Sequence, residues 1–486
     1  MDYLDLTLLE LHEALLANKV TPLELTLSAI KKAKENKDNA FEYICEKEAI
    51  EAVKNLDPNK KHNLLWGIPF ILKDNFSTKD IPTTGSSNIL NGYVPVFSSE
   101  VYNKLINQGA ILIGKTTLDE LGMGGTGTNG HKGITYNHWD KSHTHQIGGS
   151  SSGSAASVAA GIVPLGIGTD TGDSVRKPAS YAGLVGFKPT WGLISRYGVF
   201  PFAPSLDHVA FFTRSVKDSA LTLDVLQGKD EKDMTSMDKP LVKHLENISS
   251  DIKGKKIAVI DEIVSSITDQ TIKDTYFNTL DALEAKGAII HHVSLDERLC
   301  KALYPTYIII SSAESTSNNA NLDGVKFGPR FDGKTYEEVM KKARSNGFSD
   351  MIKRRFVIGG YALNQENQDR LYLQAQKARH LIVNKVNEIL SENDVIYLPA
   401  SPTVAPLISS ISGRIISSNT PYSENHLIIG NFAGLPSLTV PIGFKDGLPF
   451  GGNFTGRAFD EQTVLNFSLA LEEIAGLKNI IAKGEK

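Results

Sequence analysis

Two short loops of this sequence combine glycine with hydroxyl side chains, a composition that suits nucleophilic catalysis. The loops are residues 148–155 (GGSSSGSA) and 169–176 (TDTGDSVR). Glycine lets the backbone approach a reacting atom and leaves N–H groups free to stabilise an oxyanion. The N–H groups that could serve in the second loop belong to Thr171, Gly172, Asp173 and Ser174. One helix and one strand separate the loops, so Ser150 and Ser174 could meet at one edge of a sheet.

A serine nucleophile needs a base, and lysine is the expected base here. Neither loop contains a histidine. Lys73 follows the apolar run 67–72 (GIPFIL), which predicts a strand covered on both faces. Burial at the end of that strand favours the neutral amine, the form that a general base requires. The alternative interpretation of these residues is a pair of flexible turns and a solvated lysine.

Helices and strands alternate along the chain and predict an α/β fold. Capping-box sequences at Thr7 and Thr21 indicate two helices at the start. Further strands are predicted at 110–114, 163–168, 256–260, 288–290, 395–398 and 438–442, and further helices at 99–108, 154–160, 269–286 and 366–390. Residues 121–153 lack periodicity, and a loop of that length usually serves a site. We therefore expect a mostly parallel or mixed sheet with a site at the loops.

The composition excludes several classes of function. Of 486 residues, 41% are hydrophobic and 22% charged, which excludes disorder as the main state. A net charge of −4 provides no general attraction to nucleic acid or an anionic membrane, so any RNA contact is local or belongs to a partner. The longest small-apolar run falls short of the roughly 20 residues of a membrane span, and no signal peptide is evident. We expect a cytoplasmic protein, with an organelle such as the mitochondrion as the alternative.

Cysteine and histidine spacings indicate neither a disulfide framework nor a metal site. Cys45 and Cys300 are far apart in the sequence and are predicted to be two buried thiols. His143 and His145 form an HxH pair in a polar loop, which alone is a weak metal motif, and we interpret them as ordinary loop histidines. No metal and no bound cofactor is predicted for this chain.

Four further motifs carry a resemblance to a known family. They are residues 67–75 (GIPFILKDN), 184–190 (LVGFKPT), 192–198 (GLISRYG) and 205–208 (SLDH). With the two loops, they resemble the amidase signature family, serine amidohydrolases that use a Ser-cisSer-Lys triad. The resemblance implies an α/β fold in which a large mixed β-sheet is sandwiched between helices. It also implies a single domain over residues 1–486, with 228–364 as a candidate subdomain or elaboration.

The resemblance assigns catalytic roles to three residues. Ser174 falls at the position of the nucleophile, and Ser150 at that of the serine in a cis peptide that relays the proton. Lys73 falls at the position of the base. Within the family, the likeness is to the branch that releases ammonia from glutamine. The implied reaction is therefore acyl transfer through an ester on the nucleophilic serine.

The glutamine pocket is implied by the same resemblance. Glutamine needs a cation for its α-carboxylate and an anion for its α-amine, which the family places at Arg355 and Glu424, with Arg354 as the neighbouring alternative cation. A solvated helix face and an exposed loop carboxylate are the alternative interpretation. The family more usually has Asp in place of Glu424 and glycine in place of Asp173. Because a carboxylate facing the oxyanion would oppose negative charge, we predict that the Asp173 side chain points away from the pocket.

The resemblance also implies partners. The ammonia would serve a transamidating subunit that converts Glu-tRNA(Gln) to Gln-tRNA(Gln), with a small clasping subunit in the same complex. Contacts with tRNA would be made mainly by the partner, which would also bind ATP and Mg²⁺, and no membrane is involved. Two alternatives stay open: a free-standing amidase for another small amide, and a scaffold subunit whose site is weakened by Asp173.

Overall fold

Short apolar runs of the sequence assemble into a single large β-sheet. The computed structural model describes residues 2–411 and 420–483. Its strands are β1 (Phe41–Ile44), β2 (Pro69–Lys73), β3 (Ile111–Thr116), β4 (Leu165–Asp170), β5 (Val185–Lys188), β6 (His208–Thr213), β7 (Lys256–Ile260), β8 (Ile289–Val293), β9 (Val395–Pro399), β10 (Ser437–Lys445) and β11 (Leu448–Gly456). Their spatial order is β1-β3-β2-β4-β6-β5-β10-β11-β9-β7-β8. Parallel and antiparallel pairs both occur, which confirms the predicted mixed sheet.

All residues of β2, β3, β4 and β6 are buried, on both faces of the sheet. This burial indicates that helices cover both faces. The helices in the described residues are α1 (Leu8–Leu16), α2 (Pro22–Glu35), α3 (Glu46–Lys54), α4 (Glu100–Asn107), α5 (Ser152–Ala159), α6 (Arg176–Ala182), α7 (Val216–Leu226), α8 (His244–Asn247), α9 (Asp261–Ser265), α10 (Gln270–Ala285), α11 (Glu297–Asn318), α12 (Tyr336–Gly347), α13 (Asp350–Leu363), α14 (Tyr372–Glu392), α15 (Tyr422–Asn425), α16 (Ile428–Phe432) and α17 (Glu461–Ala475). The predicted α/β class is therefore confirmed.

Local sequence signals explain the first two helices. The Thr7 and Thr21 hydroxyls accept the N–H groups of Glu10 and Glu24, and each glutamate accepts the cap residue's N–H in return. Both predicted capping boxes are thus present, and each cap is worth about 1 kcal/mol of helix stability. Pro22 occupies the first helical position of α2, where no N–H donor is needed.

The pairing of β2 with β4 positions the two glycine-containing loops. The strands are parallel, so Lys73 and Asp170 end at the same edge of the sheet. α5 connects the first loop to β4 and contains small residues, all of them buried, which allow it to pack closely. The predicted helix and strand between the loops are therefore confirmed.

Residues 228–364 extend the same sheet. They contribute β7 and β8, and β7 pairs in parallel with β9 from outside the segment. They also contribute α11 and α13, which pack against each other, and α11 also packs against α14 from outside the segment. Whether this segment forms a subdomain of its own stays a prediction.

Several elements were not predicted, for local reasons. β11 contains proline and three glycines, residues that usually argue against a strand. α11 contains Pro305, which lacks the N–H donor of a regular helix interior. The helix predicted at 366–390 begins only at Tyr372, after a run of turns.

The remaining expectations concern cysteines and membranes. Cys45 and Cys300 are both free and buried, as predicted. Across residues 2–411 and 420–483, no helix is both long enough and apolar enough to cross a membrane.

Candidate active site

The amine of Lys73 lies at the end of β2, surrounded by hydroxyl groups. Its Nζ is 2.8 Å from Ser150 Oγ, 2.9 Å from Ser151 Oγ and 2.9 Å from Thr169 Oγ1. Lys73 is fully buried, and its hydrogen-bond partners are uncharged. The predicted meeting of Lys73 with the first loop is therefore observed. A neutral amine can donate to two of these hydroxyls and accept a proton from the third.

Burial sets the protonation of this amine. It lowers the pKa of Lys73 to about 7, and the negative charges of Asp119, Asp170 and Asp207 only partly oppose that shift. Desolvation penalises the charged form, and no carboxylate in the described part of the chain contacts the amine directly to compensate. A substantial fraction of Lys73 is therefore neutral near pH 7, as a general base must be.

The first loop is held by Asp119, which sequence reasoning missed. The peptide bond between Gly149 and Ser150 is cis. The N–H of Asp119 donates to the carbonyl of Ser150 at 3.2 Å. The carboxylate of Asp119 accepts four consecutive backbone N–H groups, those of residues 126–129. A Cβ on Gly149 would lie 2.1 Å from Asp119 Oδ2, so only glycine fits beside this carboxylate.

The second loop meets the first at the nucleophile position. The N–H of Ser151 donates to the carbonyl of Ser174 at 3.2 Å, and Ser174 is buried. Among the described residues, the N–H groups of Gly172, Asp173 and Ser174 donate to no protein acceptor. These donors are therefore available for an oxyanion, as the sequence predicted for this loop.

A buried ion pair braces the second loop. Arg176 Nη2 lies 2.9 Å from Asp170 Oδ1, and both side chains are fully buried. The same nitrogen donates to the Gly172 carbonyl at 2.7 Å. Arg176 also donates to groups from the C-terminal part of the chain, namely the Leu427 carbonyl, Asn431 Oδ1 and Ser437 Oγ. Because the Gly172 carbonyl is held by Arg176, the loop conformation that leaves its N–H groups unpaired is fixed.

A cavity of about 330 Å³ lies beside this loop. Its walls include Gly172 and Asp173, together with Arg354 and Arg355 from α13 and Glu424 from α15. The structure thus brings the predicted pocket residues together beside the predicted nucleophile. The guanidinium of Arg355 lies 5.3 Å from the centre of the Phe202 ring, and its Nη1 is buried without a hydrogen-bond partner among the described residues. The cavity therefore contains an available buried donor as well as a carboxylate.

Lys177 joins the two carboxylates of this cavity and was not singled out from the sequence. Its Nζ lies 2.9 Å from Asp173 Oδ2 and 2.9 Å from Glu424 Oε1. Burial alone would lower the pKa of Lys177, but the two carboxylates outweigh burial and raise it well above its usual value of 10.5. Lys177 is therefore an ammonium.

This arrangement corrects the prediction for Asp173. Its side chain was expected to point away from the pocket, but Asp173 lines the cavity and binds Lys177, another lining residue. The expectation was wrong because it did not include a cation one helical turn further along the chain. The carboxylate is paired with this ammonium, not with the Ser174 hydroxyl.

The histidines of the long loop have carboxylate partners. His145 lies 2.9 Å from Asp140, and His138 lies 2.6 Å from Asp38. His143 stacks on the ring of Tyr136. In the part of the chain that the structure describes, no group of three His, Cys, Asp or Glu side chains could hold a metal ion.

Comparison with known proteins agrees with this geometry. The sequence pattern of the family described as Amidase matches residues 24–465. The chain belongs to the amidase family. The match spans both loops, β2 and the cavity residues, so this amidase-family chain contains the whole site within the matched region.

Relatives of this amidase-family chain resemble it over nearly their full length. One glutamyl-tRNA(Gln) amidotransferase subunit, from Sulfurihydrogenibium sp. (strain YO3AOP1), is 39% identical over 475 residues, which cover 96% of this chain and 97% of the relative. The crystal structure of the corresponding subunit from Thermotoga maritima matches with a TM-score of 0.78 at 34% identity, over 97% of this chain and 95% of that one. A bacterial aryl acylamidase matches with a TM-score of 0.84 at 23% identity, over 99% of each chain, which shows a common fold.

Some residues of this site could have been found from the sequence. Asp170 and Arg176 flank Ser174 within residues 169–176, and an oppositely charged pair around a glycine-containing loop indicates an ion pair that braces the loop. Ser151 directly follows Ser150 in the serine run. Asp119 and Lys177 carry no such local signal, because their partners come from other parts of the fold.

Proposed function

We propose that this chain is the glutamine-hydrolysing subunit of a tRNA-dependent amidotransferase. It releases ammonia from glutamine, and a transamidating partner uses that ammonia to convert Glu-tRNA(Gln) to Gln-tRNA(Gln). The observation that carries the proposal is the buried Lys73 amine, 2.8 Å from the Ser150 hydroxyl and at the same sheet edge as the loop of Ser174. The full-length likeness to subunits of glutamyl-tRNA(Gln) amidotransferase supports the choice of substrate.

The reaction begins with proton transfer towards the lysine. Neutral Lys73 accepts the proton of Ser150, and Ser150 accepts the proton of Ser174. The Ser174 oxygen then attacks the side-chain amide carbon of glutamine. With its pKa near 7, Lys73 is basic enough to accept a proton and is still largely neutral at physiological pH.

The tetrahedral intermediate carries its negative charge on the former amide oxygen. The backbone N–H groups of Thr171, Gly172 and Asp173 in the second loop stabilise that charge. Lys73 returns its proton through Ser150 to the amide nitrogen, the carbon–nitrogen bond breaks, and ammonia leaves. Water, activated along the same path, then hydrolyses the γ-glutamyl ester on Ser174 and releases glutamate.

The cavity provides groups for the α-amino acid end of the substrate. Arg355, with Arg354 beside it, binds the α-carboxylate, and Glu424 binds the α-ammonium. The cavity volume is near the lower end of the range for small-molecule sites, roughly 300–1,000 Å³. That size suits an amino acid better than a bulky amide.

The rest of the assembly belongs to the proposal as well. The transamidating subunit contacts most of the tRNA and binds ATP and Mg²⁺, and a small clasping subunit holds the complex together. The net charge of −4 on this chain is consistent with tRNA being bound mainly elsewhere. The complex acts in the cytoplasm or in an organelle such as the mitochondrion.

Ammonia release tests the catalytic assignment. Ser174→Ala should lower glutamine hydrolysis by about 10⁴-fold or more, because a serine nucleophile has no replacement in the site. Ser468→Ala is the matched control, since Ser468 is a buried serine on α17 whose hydroxyl has no hydrogen-bond partner within residues 2–411 and 420–483. The assay uses the full chain with any subunits that co-purify. Equal rates for Ser174→Ala and the parent would leave a scaffold subunit as the function.

Co-purification tests the partner. The tagged full chain should retain a transamidating subunit, and the complex should form Gln-tRNA(Gln) from Glu-tRNA(Gln) with glutamine and ATP. A monomeric chain that hydrolyses another small amide better than glutamine or asparagine would instead identify a free-standing amidase.

A further inference from the structure

The cavity has an unusual wall of three charged side chains in a row. Asp173, Lys177 and Glu424 come from the second loop, from α6 and from α15. Lys177 is only 7% exposed at its side chain, so the three charges interact where water screens them little. One ammonium between two carboxylates leaves this wall with one net negative charge.

The three N–H donors of Lys177 are all used on this wall. They reach Asp173 Oδ2 at 2.9 Å, Glu424 Oε1 at 2.9 Å and the Glu424 carbonyl at 2.6 Å. The other carboxylate oxygen of Glu424, Oε2, has no donor among the described residues, and the Glu424 side chain is 33% exposed. Glu424 can therefore accept an additional donor from the cavity.

The charge on this wall depends on Asp173. With Asp173 present, Lys177 divides its positive charge between two carboxylates, and the wall attracts a cation. Without that charge, Lys177 and Glu424 would form a neutral pair, and a substrate ammonium would compete with Lys177 for a single carboxylate. The attraction between opposite charges at contact distance is strong in a poorly screened site, so the difference should affect substrate choice.

We propose that Asp173 and Lys177 act as one unit that determines specificity: Asp173 offsets the charge of Lys177, so that Glu424 binds the α-ammonium of the substrate. This inference rests on the proposed function and adds a role for two side chains that do not touch the scissile amide. Asp173 and Lys177 are positioning residues, because they act through Glu424. The substrates they favour are amides with a free α-amino group.

The test compares glutamine with glutaramate, the same amide without its α-amine, on the full chain with its co-purifying subunits. The readout is the ratio of the two kcat/KM values, with KM and kcat determined separately. Any general damage to the catalytic loop affects both substrates and cancels in the ratio. Asp173→Asn keeps the size of the side chain and its backbone N–H while removing the charge.

Asp173→Asn should lower the preference for glutamine at least tenfold, mainly through a higher KM for glutamine. The double variant Asp173→Asn with Lys177→Gln restores a wall with one negative charge, that of Glu424 alone, and should return the preference to within about threefold of the parent. A purely structural role predicts the opposite order, with the double variant more damaged than the single one.

Two results would overturn the inference: an unchanged preference in Asp173→Asn, or a double variant no more selective than Asp173→Asn. Binding of both compounds to the Ser174→Ala protein by calorimetry gives the same comparison without turnover. The proposed function fails in a different way, because there the parent chain itself would release no ammonia from glutamine.

Discussion

Two buried lysines lie on either side of the loop that contains Ser174, and they differ in what surrounds them. Lys73 contacts three hydroxyls, and burial lowers its pKa to about 7. Lys177 is nearly as buried, but it contacts two carboxylates that hold its pKa well above 10.5. The partners of a buried amine, more than the depth of burial, therefore decide whether it is a base or a fixed charge.

The difference matches the roles proposed for them. A base must lose and regain a proton in each cycle, and hydroxyl partners stabilise the amine in both states. A lysine that determines the charge of a cavity wall must keep its proton, and carboxylate partners ensure that it does. In the proposed mechanism, one lysine transfers protons and the other fixes a charge, and both lie close to one serine.

Replacing the hydroxyl-bound lysine should have the largest effect. Lys73→Met removes the base, and we expect kcat for ammonia release to fall by about 10³-fold, within the range typical for general bases. The variant should fold normally by circular dichroism. A loss of less than tenfold in the folded variant would mean that another group accepts the proton, and the contrast between the two lysines would lose its functional meaning.

The stability of two variants sharpens the same comparison. Lys115 is fully buried on the neighbouring strand and lies 3.2 Å from the buried carboxylate of Asp74. Lys115→Met leaves that carboxylate without its cation and should lower the free energy of unfolding by about 3–5 kcal/mol. Lys73→Met should cost far less at pH 8, where the amine is already neutral.

Urea unfolding of both variants and the parent checks this difference. The measurement is made at pH 8. Equal losses of stability for Lys73→Met and Lys115→Met would indicate that Lys73 is charged in the folded protein, and the proposed proton relay would need a different base.

The pH dependence of the reaction follows from the lowered pKa of Lys73. Because the folded-state pKa is about 7, the active neutral amine becomes rare below pH 7, and kcat/KM should fall about tenfold per pH unit towards pH 5. Above pH 8 the rate should level off. Lys177, whose pKa is raised well above 10.5 by its two carboxylate partners, stays charged throughout this range. A flat profile from pH 5.5 to 8 would contradict the assignment of Lys73.

Removal of one hydroxyl should have the smallest effect. Ser151→Ala deletes one acceptor from the Lys73 ammonium, which disfavours the charged form and lowers the pKa further. We expect the acid limb to move to lower pH by up to about one unit, with a loss in kcat below tenfold. Ser154→Ala on α5, whose hydroxyl contacts Thr116 instead, should leave the limb in place. A shift to higher pH in Ser151→Ala would be inconsistent with a hydroxyl that stabilises the ammonium.

Sequence reasoning succeeded where the signals are local. The strand that ends at Lys73, the helix between the loops and both capping boxes depend on neighbouring residues, and all are observed. The edge shared by Lys73 and the second loop follows from parallel strand pairing. The family resemblance then placed Arg355 and Glu424 in a common pocket, which composition and periodicity alone could not do.

The errors arose where distant segments meet. The direction of the Asp173 side chain depends on Lys177, and the partner of Lys177 is Glu424, 247 positions further along the chain. Asp119 contacts the first loop through its backbone N–H, which donates to the Ser150 carbonyl. No pattern of residue types in the sequence indicates such a backbone contact. β11 was missed because its glycines and proline are tolerated only by its neighbours in the sheet.

The bracing of the second loop by Arg176 has a consequence for protein synthesis. Three of the groups that accept hydrogen bonds from its guanidinium belong to Leu427, Asn431 and Ser437, which follow Arg176 by more than 250 positions in the sequence. On the ribosome, Ser174, the proposed nucleophile, therefore emerges long before the segment that completes the support of its loop. Until that segment arrives, the Arg176 guanidinium would have only its acceptors on Asp170 and Gly172 and would lack the other three, so the nascent chain should remain unable to hydrolyse amides until its final third has been made.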